Sequence, residues 1–103
     1  SIGDRLVEAA SEWLHAKVRR EMWGYDAEED ISIKEMFQAR YIGIRPAIGY
    51  PSLPDQHNIF PVGELLGIDK IGISLTENGA MYPQSSVCGL YIASLHAKYF
   101  ILD

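Results

Sequence analysis

The chain has 103 residues, 48% hydrophobic and 22% charged, the make-up of one soluble globular domain or a piece of one. A net charge of −5 argues against nucleic acid as the main partner, because neutralising phosphates needs a basic footprint. No run of about 18 apolar residues can span a membrane and no secretory leader opens the chain; the single cysteine, Cys88, leaves no disulfide within the chain and no cysteine-based zinc site, so a reducing, cytoplasmic setting is expected. From Asp4 to Met22 the sequence predicts an amphipathic helix. Leu6, Ala10, Trp13, Leu14, Val18 and Met22 recur at spacings of three and four and form one apolar stripe. Glu8, Glu12 and His15 stand on a neighbouring face at i, i+4 and i+7. That pattern reads first as a solvated face and only weakly as a metal site, so no metal ligand is assigned. Gly24 suits a left-handed cap after Trp23.

Ser32 and Glu35 fit a capping box that opens a short helix to about Arg40, with Ile33, Met36 and Phe37 facing inward. Tyr41 to Ile44 is a brief extended run. It leads into Arg45-Pro46-Ala47-Ile48-Gly49-Tyr50-Pro51-Ser52-Leu53-Pro54-Asp55, where three prolines and a glycine forbid a regular helix or central strand. A stiff, open loop is predicted, with free backbone groups, a guanidinium on Arg45 and a phenol on Tyr50. The fork of an arginine matches a carboxylate or phosphate, and a tyrosine offers a flat apolar face with a hydroxyl. Such a loop is a plausible socket for a zwitterionic or nucleoside-like ligand.

Further on, Asp55 and His57 could suggest acid–base chemistry, but no serine or cysteine nucleophile is placed beside them. No catalytic residue is assigned. Pro61 to Gly67 reads as a short helix with its proline in the first turn and its glycine past the end. Ile71, Ile73 and Leu75 alternate as in a half-buried strand, and Thr76 to Gly79 has turn composition. Residues 80–83, 87–93 and 98–102 read as further strands, with Gly89 marking a bulge or a close approach. Helices first and paired strands later predict an α+β fold, an N-terminal amphipathic helix and short helices packed on a mainly antiparallel sheet.

Arg-Pro-Ala-x-Gly-Tyr-Pro at 45–51, followed by Pro54-Asp55, resembles the S-adenosylmethionine-binding signature of the activation domain of cobalamin-dependent methionine synthase. Other blocks resemble the same family in the same order. They are Glu8 with Leu14-His15, Trp23-Gly24-Tyr25, Tyr41 to Ile44, Glu64-Leu65-Leu66, Leu75-Thr76-Glu77, Ala80 to Pro83, Ser86-Val87 with Gly89, and Lys98-Tyr99-Phe100. The family pattern departs at three points: Gln56 stands where a histidine is usual, Tyr82 where tryptophan is frequent, and Phe100 where a second tyrosine is common.

The resemblance implies a single partial domain over residues 1–103, an excised piece of a methyltransferase, inactive on its own. It implies that the module presents S-adenosylmethionine to an oxidised cobalamin carried by a neighbouring domain of the same enzyme, while a flavodoxin-like partner supplies an electron. It implies an S-adenosylmethionine site made by Glu8, Arg45, Ala47, Gly49, Tyr50, Tyr99 and Phe100. The chemistry is compatible, since carboxylate and aromatic faces suit a sulfonium and an ammonium. The cofactor carries the hard chemistry, so no nucleophile is needed. The alternatives are a non-catalytic small-molecule-sensing or protein-interaction domain and, more remotely, an Asp55/His57 hydrolase.

Overall fold

The computed structural model describes residues 2–99. They form two compact units: one from the residues through Arg45 together with Tyr91–Tyr99, the other from Pro46–Leu90.

The first unit is built on helix α1, Ile2–Lys17, which continues into a π turn, Val18–Met22. The amides of Trp23 and Gly24 both donate to the Val18 carbonyl at 3.0 Å, and Gly24 follows with φ at 76°. The left-handed stop is therefore where the sequence puts it. The face turned inward is not. Leu6, Trp13 and Met22 are more than 60% exposed, while Glu12, His15, Val18 and Arg19 are buried. Of the expected apolar stripe only Val18 is buried, and of the expected solvated face only Glu8 stays exposed. The reason lies in the partners: Glu12 meets Arg45, Arg19 meets Glu29, and His15 meets aromatic rings. Polar groups go inside when each finds a partner, and periodicity alone cannot see those partners. Lys17 lies over the Trp13 ring, 5.1 Å from its centroid.

Helix α2, Ile33–Phe37, opens on the expected capping box. The Glu35 amide donates to Ser32 Oγ and the Ser32 amide to Glu35 Oε1, each at 3.1 Å. It ends before Arg40, and Ile33 and Phe37 remain exposed, with Met36 half-buried. This short helix is held by its caps, including an Arg40 amide bond to the Glu35 carbonyl, and not by the packing the sequence suggests. Ile44 then pairs antiparallel with Ile92 through two bonds of 3.0 and 2.9 Å. Gly43, at φ 83°, leaves room for the Ile92 carbonyl, onto which a Cβ would fall.

In the second unit, Ala47 bridges Gly89 antiparallel. A Cβ on Gly89 would stand 2.6 Å from the Pro46 carbonyl oxygen, which is the close approach expected of that glycine. A 3-10 turn, Gln56–Asn58, precedes helix α3, Ile59–Leu66, with Pro61 in its first turn and Gly67 left-handed after its end. Ile59 is fully buried, with Gly63 and Gly79 buried too. Strands β1, Ser74–Leu75, and β2, Met81–Tyr82, pair antiparallel in the register Ser74 to Tyr82 and Leu75 to Met81, across the expected Thr76–Gly79 turn.

The α+β class holds, and the sheet is smaller than expected. Of the strand expected along Ile71, Ile73 and Leu75, only Ser74–Leu75 forms; Ile71 instead ends a 3-10 turn, Ile68–Ile71, bracketed by Gly67 and Gly72 at positive φ. The 87–93 run contributes single bridges because Pro46, opposite it, has no amide to donate. Lys98 and Tyr99 lie outside any strand, and the rest of that run lies outside the described residues. Among the described residues no helix is long and apolar enough to cross a membrane.

Candidate ligand-binding site

In the first unit the geometry centres on Arg45. Its Nη2 stands 2.7 Å from Glu12 Oε1, with the side chains 19% and 7% exposed respectively. The contact is one of charge, since Glu12 Oε1 is buried without an aligned hydrogen bond. The Arg45 backbone amide donates to the Tyr99 hydroxyl at 2.8 Å, and that hydroxyl lies 3.4 Å from the hydroxyl of Tyr41. Arg45 is thus held at both ends, with its guanidinium still reaching the surface.

Behind it lies a buried polar layer. The Arg19 guanidinium covers the Tyr41 ring at 4.1 Å and forks onto both oxygens of Glu29 at 2.5 and 2.8 Å. His15 meets Tyr41 edge-on at 4.7 Å and Tyr91 at 5.2 Å, and its Nε2 is 3.4 Å from the Tyr25 hydroxyl. Burial, and then the Arg19 and Arg45 charges, hold the His15 pKa down at about 3, so the ring is neutral at physiological pH. Burial raises the Glu12 carboxyl, against the pull of Arg45 and Arg19. Burial and the Tyr99 hydroxyl raise the Tyr41 phenol; burial likewise raises Tyr91.

Glu8 is exposed, one turn before Glu12. With Asp4, Arg5, Ala9 and Phe37 it lines a shallow open groove of about 380 Å³. Among the described residues no group of three metal-ligating side chains is assembled; Glu12 and His15 serve as packing partners of Arg45 and Tyr41.

In the second unit the proline loop is less open than expected. Gly49, at φ 95°, donates to the Leu53 carbonyl at 2.8 Å, and Leu53 donates back to the Tyr50 carbonyl at 2.8 Å. The Tyr50 amide reaches the Ala47 carbonyl at 3.2 Å. These amides close the loop on itself, so its stiffness comes from hydrogen bonds as well as from proline. What it leaves outward is the Tyr50 ring, 64% exposed. Gln56, at the position of the family's histidine, braces the loop from within. Its Nε2 donates to the Gly79 carbonyl at 2.7 Å, and its Oε1 occupies the place a Cβ on Gly49 would need.

Asp55 and His57 form an exposed pair at 3.2 Å. Asp55 Oδ1 also accepts the His57 amide at 3.0 Å as the cap of the 3-10 turn, and these bonds lower its carboxyl pKa. Burial pushes the Cys88 thiol up, away from its reactive form. No hydrolytic constellation follows from these groups.

Of the expected site residues, Arg45 and Tyr99 touch, and Glu8 shares a helix face with the Arg45 partner Glu12. Ala47, Gly49 and Tyr50 stand on the loop of the second unit, and Phe100 lies outside the described residues. The sequence reading sets Glu12 on a solvated face and gives Arg19 and Tyr41 no place in the site. The row Glu12, His15, Arg19 at i, i+3 and i+7 was the available signal.

The crystal structure of the MetH reactivation domain bound to AdoHcy is similar to this chain, with a TM-score of 0.89 and 44% sequence identity over 94% of it. The chain spans 30% of that longer chain. The model of the vitamin B12 dependent methionine synthase activation domain matches residues 1–103, and the chain belongs to that family.

Proposed function

We propose that this chain binds S-adenosylmethionine and presents it to the cobalamin of a cytoplasmic methionine synthase, so that an oxidised cofactor is methylated again. In this reading the cobalamin sits on a neighbouring domain of the same enzyme and a flavodoxin-like donor supplies the electron. The isolated piece is catalytically inactive. When bound, S-adenosylmethionine supplies a methyl group on a sulfonium and leaves as S-adenosylhomocysteine.

The observation that carries the reading is Arg45, a guanidinium held by its backbone amide and its charge partner yet still partly exposed. Such a fork takes the ligand's carboxylate. Glu8 contributes negative charge near the ligand's cations, and the rings of Tyr50 and Tyr99 contribute faces for cation–π or stacking contacts. Ala47 and Gly49 contribute backbone, and Phe100 completes the set by resemblance. The AdoHcy held by the 44% identical MetH domain supports the same ligand class. The residues need only bind and orient; no proton moves on this chain.

Calorimetric titration of the full protein with S-adenosylmethionine and S-adenosylhomocysteine tests this. Both are expected to bind, and Arg45→Ala is expected to weaken each at least tenfold, which is about 1.4 kcal/mol. Binding unchanged in the variant would remove Arg45 from the site, and no binding by the wild type would sink the reading.

A further inference from the structure

We propose that Glu12 is a positioning residue, which aims the Arg45 guanidinium so that its free edge receives the carboxylate of the ligand's amino-acid part. The proposal rests on the S-adenosylmethionine reading above and adds to it a residue the sequence motif does not contain.

The argument starts from what Glu12 lacks. It is almost wholly buried, a state carboxylates rarely adopt without a partner, and its Oε1 finds no aligned hydrogen bond. Among the described residues its close cation on that oxygen is Arg45 Nη2, at 2.7 Å. A guanidinium carries five N–H donors in a fixed fork. A charge contact at one terminal nitrogen fixes the direction of the group while leaving N–H vectors for a second acceptor. The backbone end is pinned as well, by the Tyr99 hydroxyl. With both ends set, little rotamer entropy remains to be lost when a carboxylate arrives, and preorganisation of that kind improves affinity without a new contact. Burial of Glu12 sharpens the effect, because a carboxylate shielded from water holds its cation more firmly.

A purely architectural ion pair would look similar, so the test must read ligand chemistry. Methylthioadenosine shares the adenosine and sulfur of S-adenosylhomocysteine and lacks the amino-acid carboxylate. It lacks the ammonium too, so the ratio of the two affinities reports the amino-acid part as a whole, and the change that Arg45→Ala makes in that ratio is the share of the Arg45 fork. In the full protein, Glu12→Gln, which keeps the shape and removes the charge, is expected to lower S-adenosylhomocysteine affinity about tenfold. Methylthioadenosine affinity is expected to stay within about twofold, which also shows that the variant is folded. In the wild type the ratio is expected to fall on acidification as Glu12 takes up a proton, and to be flat in Glu12→Gln. The groups facing Glu12 are Arg45, Arg19 and Glu8, with Tyr41 nearby. His15 stays neutral down to about pH 3 and does not confuse the profile.

A Glu12→Gln ratio equal to that of the wild type, or a loss shared equally by both ligands, would overturn the positioning role. If Arg45→Ala leaves the ratio unchanged, it is the underlying ligand site that fails, and the two failures are told apart.

Discussion

The largest fully buried side chains of the first unit are Arg19 and His15, whereas that of the second is Ile59. Around Arg19 and His15 stand the Glu29 carboxylate and three phenols, with the Glu12–Arg45 pair beside them. Around Ile59 stands Gly79, whose missing Cβ would come within 3.0 Å of the isoleucine methyl. Both interiors are filled, and they differ in how many arrangements satisfy them. A polar interior rests on pairings that each need one partner at one distance, and even here Glu12 Oε1, His15 Nδ1 and Arg19 Nη1 are buried without a hydrogen bond. An apolar interior asks for volume, which several side chains can supply. The rigid, directional unit is also the one that holds Arg45.

The contrast breaks most visibly at its two centres. Arg19→Met would strand the Glu29 carboxylate, whose side chain is 3% exposed. The expected loss is about 3–5 kcal/mol, the range for a buried charge deprived of its partner. Arg19→Lys keeps a charge but loses the two-pronged contact and the stacking on Tyr41, so it should recover only part of that loss. Ile59→Val, by comparison, should cost about 0.5–1.5 kcal/mol. Urea unfolding of the three variants measures the gap. Equal losses at Arg19 and Ile59 would erase the distinction between the two interiors.

Acid should separate the interiors next. The His15 pKa is about 3 in the folded chain and 6.5 when exposed. As pH falls below 6.5 the unfolded state takes up a proton that the folded state refuses, so stability is lost progressively down to about pH 3. Between pH 7.5 and pH 5 the loss from this group should be about 2 kcal/mol. Glu12 has the opposite sign. Its raised pKa lets the folded state bind a proton first, which returns part of the stability as pH falls toward the usual carboxylate range. The histidine shift is the larger, so net acid lability remains. A His15→Gln variant should be weaker at pH 7.5 yet lose about 2 kcal/mol less on acidification. Thermal unfolding at the two pH values reads the difference, and identical acid slopes would dismiss His15 as its origin.

The same contrast decides what could be read from the sequence. Local signals were legible where one backbone requirement has one residue as its answer. Gly24 and Gly67 ended their helices, Ser32 and Glu35 formed their box, Thr76 to Gly79 turned, and Gly89 allowed a close approach. The inward face of α1 was illegible because hydrophobic periodicity assumes that apolar residues lie inside. Here a charged row is drawn in by Arg45 and Glu29, partners 33 and 10 residues away in sequence. The openness of the proline loop was misjudged for a related reason. Proline composition shows which amides are missing but not where the remaining ones go, and those of Gly49 and Leu53 turn back into the loop. The motif pointed to Arg45, and only the fold could supply Glu12.

The smallest expected effect lies in the apolar interior. Gly63 sits within α3, and a Cβ there would come 2.7 Å from Ile68 Cδ1, closer than real contacts allow. By distance alone, adding it would repeat the damage of a change at Arg19. The obstacle, however, is the far end of a side chain that is only half-buried, and it can rotate away. Overpacking of this kind costs about 1–3 kcal/mol when nothing yields. Replacing an interior helical glycine by alanine returns about 1 kcal/mol through the helix backbone. With Ile68 free to move, Gly63→Ala should change stability by no more than about 1 kcal/mol, read as a shift in the urea midpoint at constant slope. A loss comparable to that of Arg19→Met would mean that the second interior is as exacting as the first, and that tolerance is not what distinguishes an apolar core from a polar one in this chain.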